Sequence, residues 1–256
     1  QSPKMLLPQL FLVFLVPLCI QGSVQRMRRG APLTSQPKWP RSIPYILDAR
    51  FTEDQKAILR TNIATFNDNT CLTFKEDQGP GLKLEYFYVE SGDCKTEIGD
   101  TRKTNNANHR IRLHSGCIKS YSIQHETIHA LGFRHTQSRS DRDKYIRLLL
   151  DNVDKRIHSN FDKIDEKQSV DLGIPYEYNN IMHYDAYSGA INDELPLMTP
   201  LDDDYNMTLG GDMMLFNDWK MINYYYKCNE ICGKPIECKN GGYQHPRGER
   251  ACRMKR

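Results

Sequence analysis

The stretch His125-Glu126-Thr127-Ile128-His129-Ala130-Leu131-Gly132-Phe133-Arg134-His135 decides how this chain reads. Two histidines four residues apart on a helix project from one face, about one turn apart. Neutral imidazole is the preferred nitrogen ligand of zinc. Glu126 follows the first histidine, where its carboxylate can reach a water on the metal rather than the metal itself. Gly132 lets the backbone leave the helix through a left-handed conformation that costs other residues dearly. That turn brings His135 round as a third ligand. Three protein ligands leave one position open, which marks a catalytic rather than a structural zinc site. Glu126 then stands where a general base must stand, able to move a proton from an attacking water to a leaving amine. Two histidines and a glutamate alone also occur as an ordinary polar helix face. Gly132 and His135 at their required spacings separate the two readings.

Outward from that segment, Asn180-Ile181-Met182-His183-Tyr184 begins 45 residues past His135. That separation is typical of metzincin peptidases, in which a methionine turn lies beneath the metal. Taken alone, Met182 reads as a plain core methionine. Upstream, Tyr45–Leu47, Cys71–Phe74 and Leu82–Val89 read as strands, and Arg110–His114 as an edge strand. Thr52 to Phe66 reads as a helix with Thr52 as N-cap, Glu53 and Asp54 at its positive end, and Ile58, Ile63 and Phe66 on one face. Ser120 to Leu131 is the helix that carries the histidines, Tyr145 to Phe161 a further one, and Leu215 to Tyr226 the last. Residues 165–180 have loop composition. Early strands with flanking helices, then a mostly irregular second half, give an α+β domain in two lobes.

Composition bounds the remainder. The 256 residues are 39% hydrophobic and 26% charged, which is globular rather than disordered. A formal charge of +3, with no basic stripe interleaved by aromatics, argues against nucleic acid as a partner. Met5 to Ile20 is a short apolar run after Lys4, ending before small residues, and reads as a secretory signal within residues 1–23. It is shorter than the roughly 20 residues of a spanning helix, so no membrane association is expected after its removal. Arg26-Met27-Arg28-Arg29 reads as a processing site that cuts after Arg29, within a short leader of residues 24–29. Of eight cysteines, Cys19 lies in the signal, and the remaining seven imply disulfides plus one leftover thiol in an oxidising compartment. Asn206-Met207-Thr208 is a glycosylation sequon.

Taken together, these motifs resemble the astacin family of zinc endopeptidases. The active-site segment, Gln137 to Asp143, and Met182-His183-Tyr184 carry the resemblance. So do Trp39-Pro40, Ile43-Pro44-Tyr45, Thr70-Cys71 and the closing Ile222-Asn223 to Cys228. It covers residues 30–228. The resemblance implies a two-lobed metzincin domain with a mixed twisted sheet and the active-site helix in the first lobe. It implies one Zn2+ per chain on His125, His129 and His135, with Glu126 as general base. It makes Tyr184 a fifth, switchable ligand that stabilises the oxyanion, and Met182 the Met-turn residue. It pairs Cys71 with Cys228 and Cys94 with Cys117, and makes Arg110–His114 the cleft rim that receives substrate as an added strand. Cleavage after Arg29 would make Trp39 the tenth residue, close to its usual place in the family.

Three features depart from the family. Astacins usually follow the third histidine with a glutamate that receives the mature N-terminus, and here Thr136 stands there. No acidic residue lies between Ser23 and Trp39 to block a zinc. The tail, residues 229–256, holds Cys232, Cys238 and Cys252 and reads as a truncated EGF-like opening. The resulting expectation is a secreted, extracellular metalloendopeptidase acting on protein or peptide substrates. The alternative is an impaired homologue acting as a binding or decoy protein. Natural substrate and oligomeric state are not legible at this level.

Overall fold

A computed structural model describes residues 32, 35–170, 172–232, 236–247 and 251–254. The signal, the Arg29 processing site and Gly30 lie outside the described residues. The first strand, β1 (Ser42–Leu47), leads into helix α1 (Glu53–Asn69). The Thr52 hydroxyl accepts from the Gln55 N–H while the Gln55 side chain accepts from the Thr52 N–H, so the helix start satisfies two of its own donors. The buried stripe of α1 is Leu59, Ile63 and Phe66, whereas Ile58 is 41% exposed, one position off the face that sequence spacing gave it.

Strands β2 (Thr73–Glu76) and β3 (Leu84–Tyr88), the single-turn α2 (Arg102–Asn105) and β4 (His109–Leu113) follow. The sheet order is β2-β1-β3-β4, with every named pair parallel. Its antiparallel component is the bridge of Lys95 with Arg112. Ile111 and Leu113 of β4 are fully buried and face the core, and the expected edge strand is itself covered. The Lys95 and Arg112 backbones exchange both hydrogen bonds, and Thr96 Oγ1 donates to the Arg110 carbonyl. The free rim along the cleft is therefore the Cys94–Ile98 segment, not Arg110–His114.

Helix α3 (Ser120–Ala130) carries the histidines and packs against the sheet side of the main core, with Ile123 and Ile128 fully buried. The helix expected over Tyr145–Phe161 does not form. Its place is taken by strand β5 (Ile146–Leu148), paired antiparallel with β6 (Met198–Pro200), by a 3-10 turn at Leu150–Asn152 and by a seven-residue 3-10 helix at Lys155–Phe161. Distant partners decided this: the Leu149 N–H donates to the Leu197 carbonyl, and Asn152 Nδ2 to the carbonyls of Asn192 and Leu195. These residues surround a second, smaller core of Ile146, Val153, Phe161, Tyr176, Tyr178, Leu197, Met198 and Leu209.

Helix α4 (Phe216–Tyr225) returns to the main core, where the Cys71–Cys228 disulfide ties its exit to the end of α1. A second disulfide joins Cys94 to Cys117 beside the cleft rim. The tail forms a small hairpin, β7 (Tyr243–Gln244) with β8 (Cys252–Arg253), and a third disulfide joins Cys238 to Cys252. Arg247 and Arg253 reach from this tail to the carbonyls of Asn67 and Asp68 in the last turn of α1, where helix carbonyls lack internal partners, and Arg247 also reaches the Leu72 carbonyl just beyond it.

Candidate active site

Helix α3 presents His125 and His129 from one face, and His135 arrives from the segment beyond Gly132. The turn at Gly132 has φ +106°, and a Cβ there would sit 3.2 Å from the Tyr225 hydroxyl, so both conformation and space call for glycine. His125 Nδ1 donates to the Ile181 carbonyl at 2.8 Å, and His129 Nδ1 to the Phe133 carbonyl at 2.7 Å. With those nitrogens protonated, the Nε2 atoms carry lone pairs. Both face His135 Nε2, at 3.2 Å and 3.1 Å. A single N–H can lie between only one of these pairs, so lone pairs converge on a shared point. That arrangement is repulsive unless a cation sits there. Tetrahedral zinc with bonds of about 2.0–2.1 Å places its nitrogens roughly 3.3 Å apart, so these residues fit such an ion. Burial pushes all three imidazoles below their usual range, keeping them neutral, with repulsion among the histidines and Arg134 adding for His129 and His135.

Glu126 is 8% exposed, and its Oε2 has no hydrogen-bond partner among the described residues. Burial pushes its carboxyl up to about 8, against the lowering effect of the Thr96 backbone N–H from the rim. A buried, unpartnered carboxylate oxygen beside a metal-sized gap suits a group that exchanges a proton with bound water. The Tyr184 ring lies against His135, with centroids 4.3 Å apart, and burial raises its hydroxyl pKa, with the Glu126 charge adding. Met182 is fully buried; its N–H donates to Asn180 Oδ1, and its carbonyl accepts from the Thr136 N–H. Thr136 is buried too, its hydroxyl donating to Asn180 Oδ1 at 2.8 Å. Gly30, the first residue after the expected cleavage at Arg29, lies outside the described residues.

The three histidines, Glu126 and Tyr184 line a cleft of about 970 Å³ between the rim at 94–98 and residues 159–162. A second metal-like group, Cys94, His114 and Cys117, sits at its edge, but its two sulfurs are bonded to each other. Asn206 is exposed, as its sequon requires for use.

The Astacin peptidase family profile matches residues 33–227. The chain belongs to the astacin family. Among its relatives is the zinc metalloproteinase dpy-31 of Teladorsagia circumcincta, 31% identical over 236 residues, covering 91% of this chain and 38% of that protein. Another is zinc metalloproteinase dpy-31 of Caenorhabditis elegans, 32% identical, covering 84% of this chain and 36% of that protein. The chain thus spans well under half the length of these curated relatives. Among solved structures, the hatching enzyme zinc-protease high choriolytic enzyme 1 of the medaka fish Oryzias latipes superposes with TM-score 0.63 at 30% identity, covering 73% of this chain and 89% of that one. The astacin fold accounts for the α+β architecture, and the family is one of zinc metalloproteinases, which are hydrolases.

The motif supplied His125, Glu126, His129, His135, Met182 and Tyr184; the fold brings all but Met182 to one cleft, and Met182 is fully buried behind it. It did not supply the carbonyls of Ile181 and Phe133 that fix the imidazole tautomers. Backbone acceptors carry no side-chain signature. The role of Thr96 was hidden for the same reason, since it acts through its N–H.

Proposed function

We propose that this chain is a secreted, zinc-dependent endopeptidase that hydrolyses peptide bonds in protein substrates, with one ion held by His125, His129 and His135. The convergence of three imidazole Nε2 atoms beside the unpartnered Glu126 Oε2 carries this reading. A zinc ion held there supplies Lewis acidity, polarising the scissile carbonyl and lowering the pKa of a water to about 7. Glu126 Oε2 takes the proton of the attacking water and delivers it to the leaving amine. The Tyr184 hydroxyl donates to the oxygen on which charge develops, its ring held by His135 and Phe161. Met182 gives the site an apolar floor. The rim at 94–98 offers a backbone edge to which an extended substrate adds as a strand, set by the Cys94–Cys117 bond.

Secretion follows from the signal-like run at Met5–Ile20 together with three disulfides, which persist in oxidising compartments. No helix among the described residues is long and apolar enough to cross a membrane. The test is casein hydrolysis by the chain freed of its leader. Chelator abolishes it and zinc restores it. Glu126→Gln lowers kcat by about 10²–10⁴-fold with zinc still bound. Unchanged hydrolysis in Glu126→Gln, or hydrolysis indifferent to chelator, overturns the reading.

A further inference from the structure

Behind the three histidines the fold buries a hydrogen-bond network that the proposed reaction does not use. Asn180 stands at its centre, 6% exposed. Its Oδ1 accepts from the Thr136 hydroxyl at 2.8 Å and from the Met182 N–H at 2.9 Å. Its Nδ2 donates to Asp218 Oδ1 on α4. The other Asp218 oxygen accepts from the Leu215 N–H at 2.7 Å, and the nearby Ile181 backbone favours the charged form of this carboxyl. Asp218 is fully buried, and its hydrogen-bond partners are the Asn180 amide and the Leu215 N–H. Its location resembles a structural floor, yet two branches of the network end on groups that touch His125 and His135.

Two connections show this. Thr136 directly follows His135, and its N–H donates to the Met182 carbonyl at 2.8 Å. With the Thr136–Asn180 bond, this makes a two-point clasp between the His135 segment and the turn at 180–182. Ile181 lies inside that turn, with its backbone near Asp218 and its carbonyl accepting from His125 Nδ1. Moving Asn180 or Asp218 would therefore shift the carbonyl that orients His125 and the segment that delivers His135. Both shifts would act on the same pair of Nε2 atoms, now 3.2 Å apart.

We propose that Thr136, Asn180 and Asp218 are positioning residues that hold the imidazoles of His125 and His135 in metal-binding geometry. The proposal rests on the zinc reading above. Outer partners of metal ligands cost about 10–100-fold in metal affinity when removed, and a clasp on two ligands belongs in that range. Thr136→Val keeps the side-chain shape and deletes the hydroxyl, Thr136→Ser keeps the hydroxyl, and Asn180→Ala removes the hub.

The experiment follows zinc release from the loaded full chain into excess chelator, alongside the visible spectrum of cobalt-substituted protein. Thr136→Val releases zinc about 10-fold faster and alters the cobalt spectrum, Asn180→Ala releases it at least as fast, and Thr136→Ser behaves like the wild type. Leu59→Ala, a core truncation on α1, controls for lost stability. Wild-type release rates in Thr136→Val overturn the proposal, and so does equally fast release from Leu59→Ala. If Asn180→Ala does not fold, Thr136→Val decides alone. A wild-type chain that takes up no stoichiometric zinc overturns the zinc reading itself and this proposal with it, a result separable from equal release rates.

Discussion

At Gly132 the chain turns through φ +106° between the second and third histidines, a conformation open to glycine and costly to any residue with a Cβ. Alanine there meets two penalties, the left-handed backbone and a Cβ 3.2 Å from the Tyr225 hydroxyl. Gly132→Ala should lower unfolding stability by about 1–3 kcal/mol, read from urea denaturation of the metal-free chain. Tyr225→Phe in the same background relieves the contact but not the backbone cost, so it should not restore the wild-type midpoint. Full restoration would show that the contact alone set the penalty. Gly132 was legible in the sequence because its need is local. The carbonyls of Ile181 and Phe133 were not, because any residue can supply a backbone acceptor and only the fold says which one faces a histidine.

At the scale of the element, β4 shows how a strand and the rim beside it share a titrating group. His109 is 1% exposed, and its two ring nitrogens meet the hydroxyls of Thr96, on the rim, and Thr101. Burial pushes its pKa down to about 4, against nearby Glu97 and Asp100, which raise it, while Arg102 and Arg112 lower it further. The unfolded chain, with an ordinary value near 6.5, binds a proton in the window between roughly 4 and 6.5 that the folded chain refuses. Stability from this group is therefore complete above about pH 6.5 and is lost as the pH falls towards 4, by about 3 kcal/mol in all. Melting temperatures of the wild type and His109→Gln, measured across that window, should diverge, with the wild type falling more steeply. Parallel curves would refute the assignment. The failed helix over Tyr145–Phe161 belongs at this scale as well. Its apolar run has helical length, but Ile146–Leu148 found β6 as a partner some fifty residues away, and non-local pairing overrode propensity.

The whole molecule is held by crosslinks of very different reach. Cys71–Cys228 closes a loop of sequence separation 157, Cys94–Cys117 one of 23. Loop-closure entropy makes the longer bond worth about 1–2 kcal/mol more than the shorter. The Cys71→Ala/Cys228→Ala pair should therefore unfold at lower denaturant than Cys94→Ala/Cys117→Ala. The second pair instead should lose substrate affinity, because its bond sets the cleft rim, and KM is the measurement. A rim bond that changes only stability would remove the substrate-strand role from residues 94–98.

What the sequence by itself determined is the family and the candidate cluster: the spacing of His125, Glu126, His129, Gly132 and His135 is short-range, and one helix followed by a glycine turn converts it into a metal-sized group. The strands and helices around it were legible wherever their periodicity was strong, as in α1 and α3. Only the tertiary structure decided that Cys94–Ile98 rather than β4 borders the cleft, and that Tyr145–Phe161 is not a helix. Only it revealed that Asn180 joins Thr136 to Asp218 beside the histidine cluster. Each of these depends on groups far apart in the chain meeting across a packed core, and a one-dimensional pattern carries no record of which distant donor will meet which acceptor.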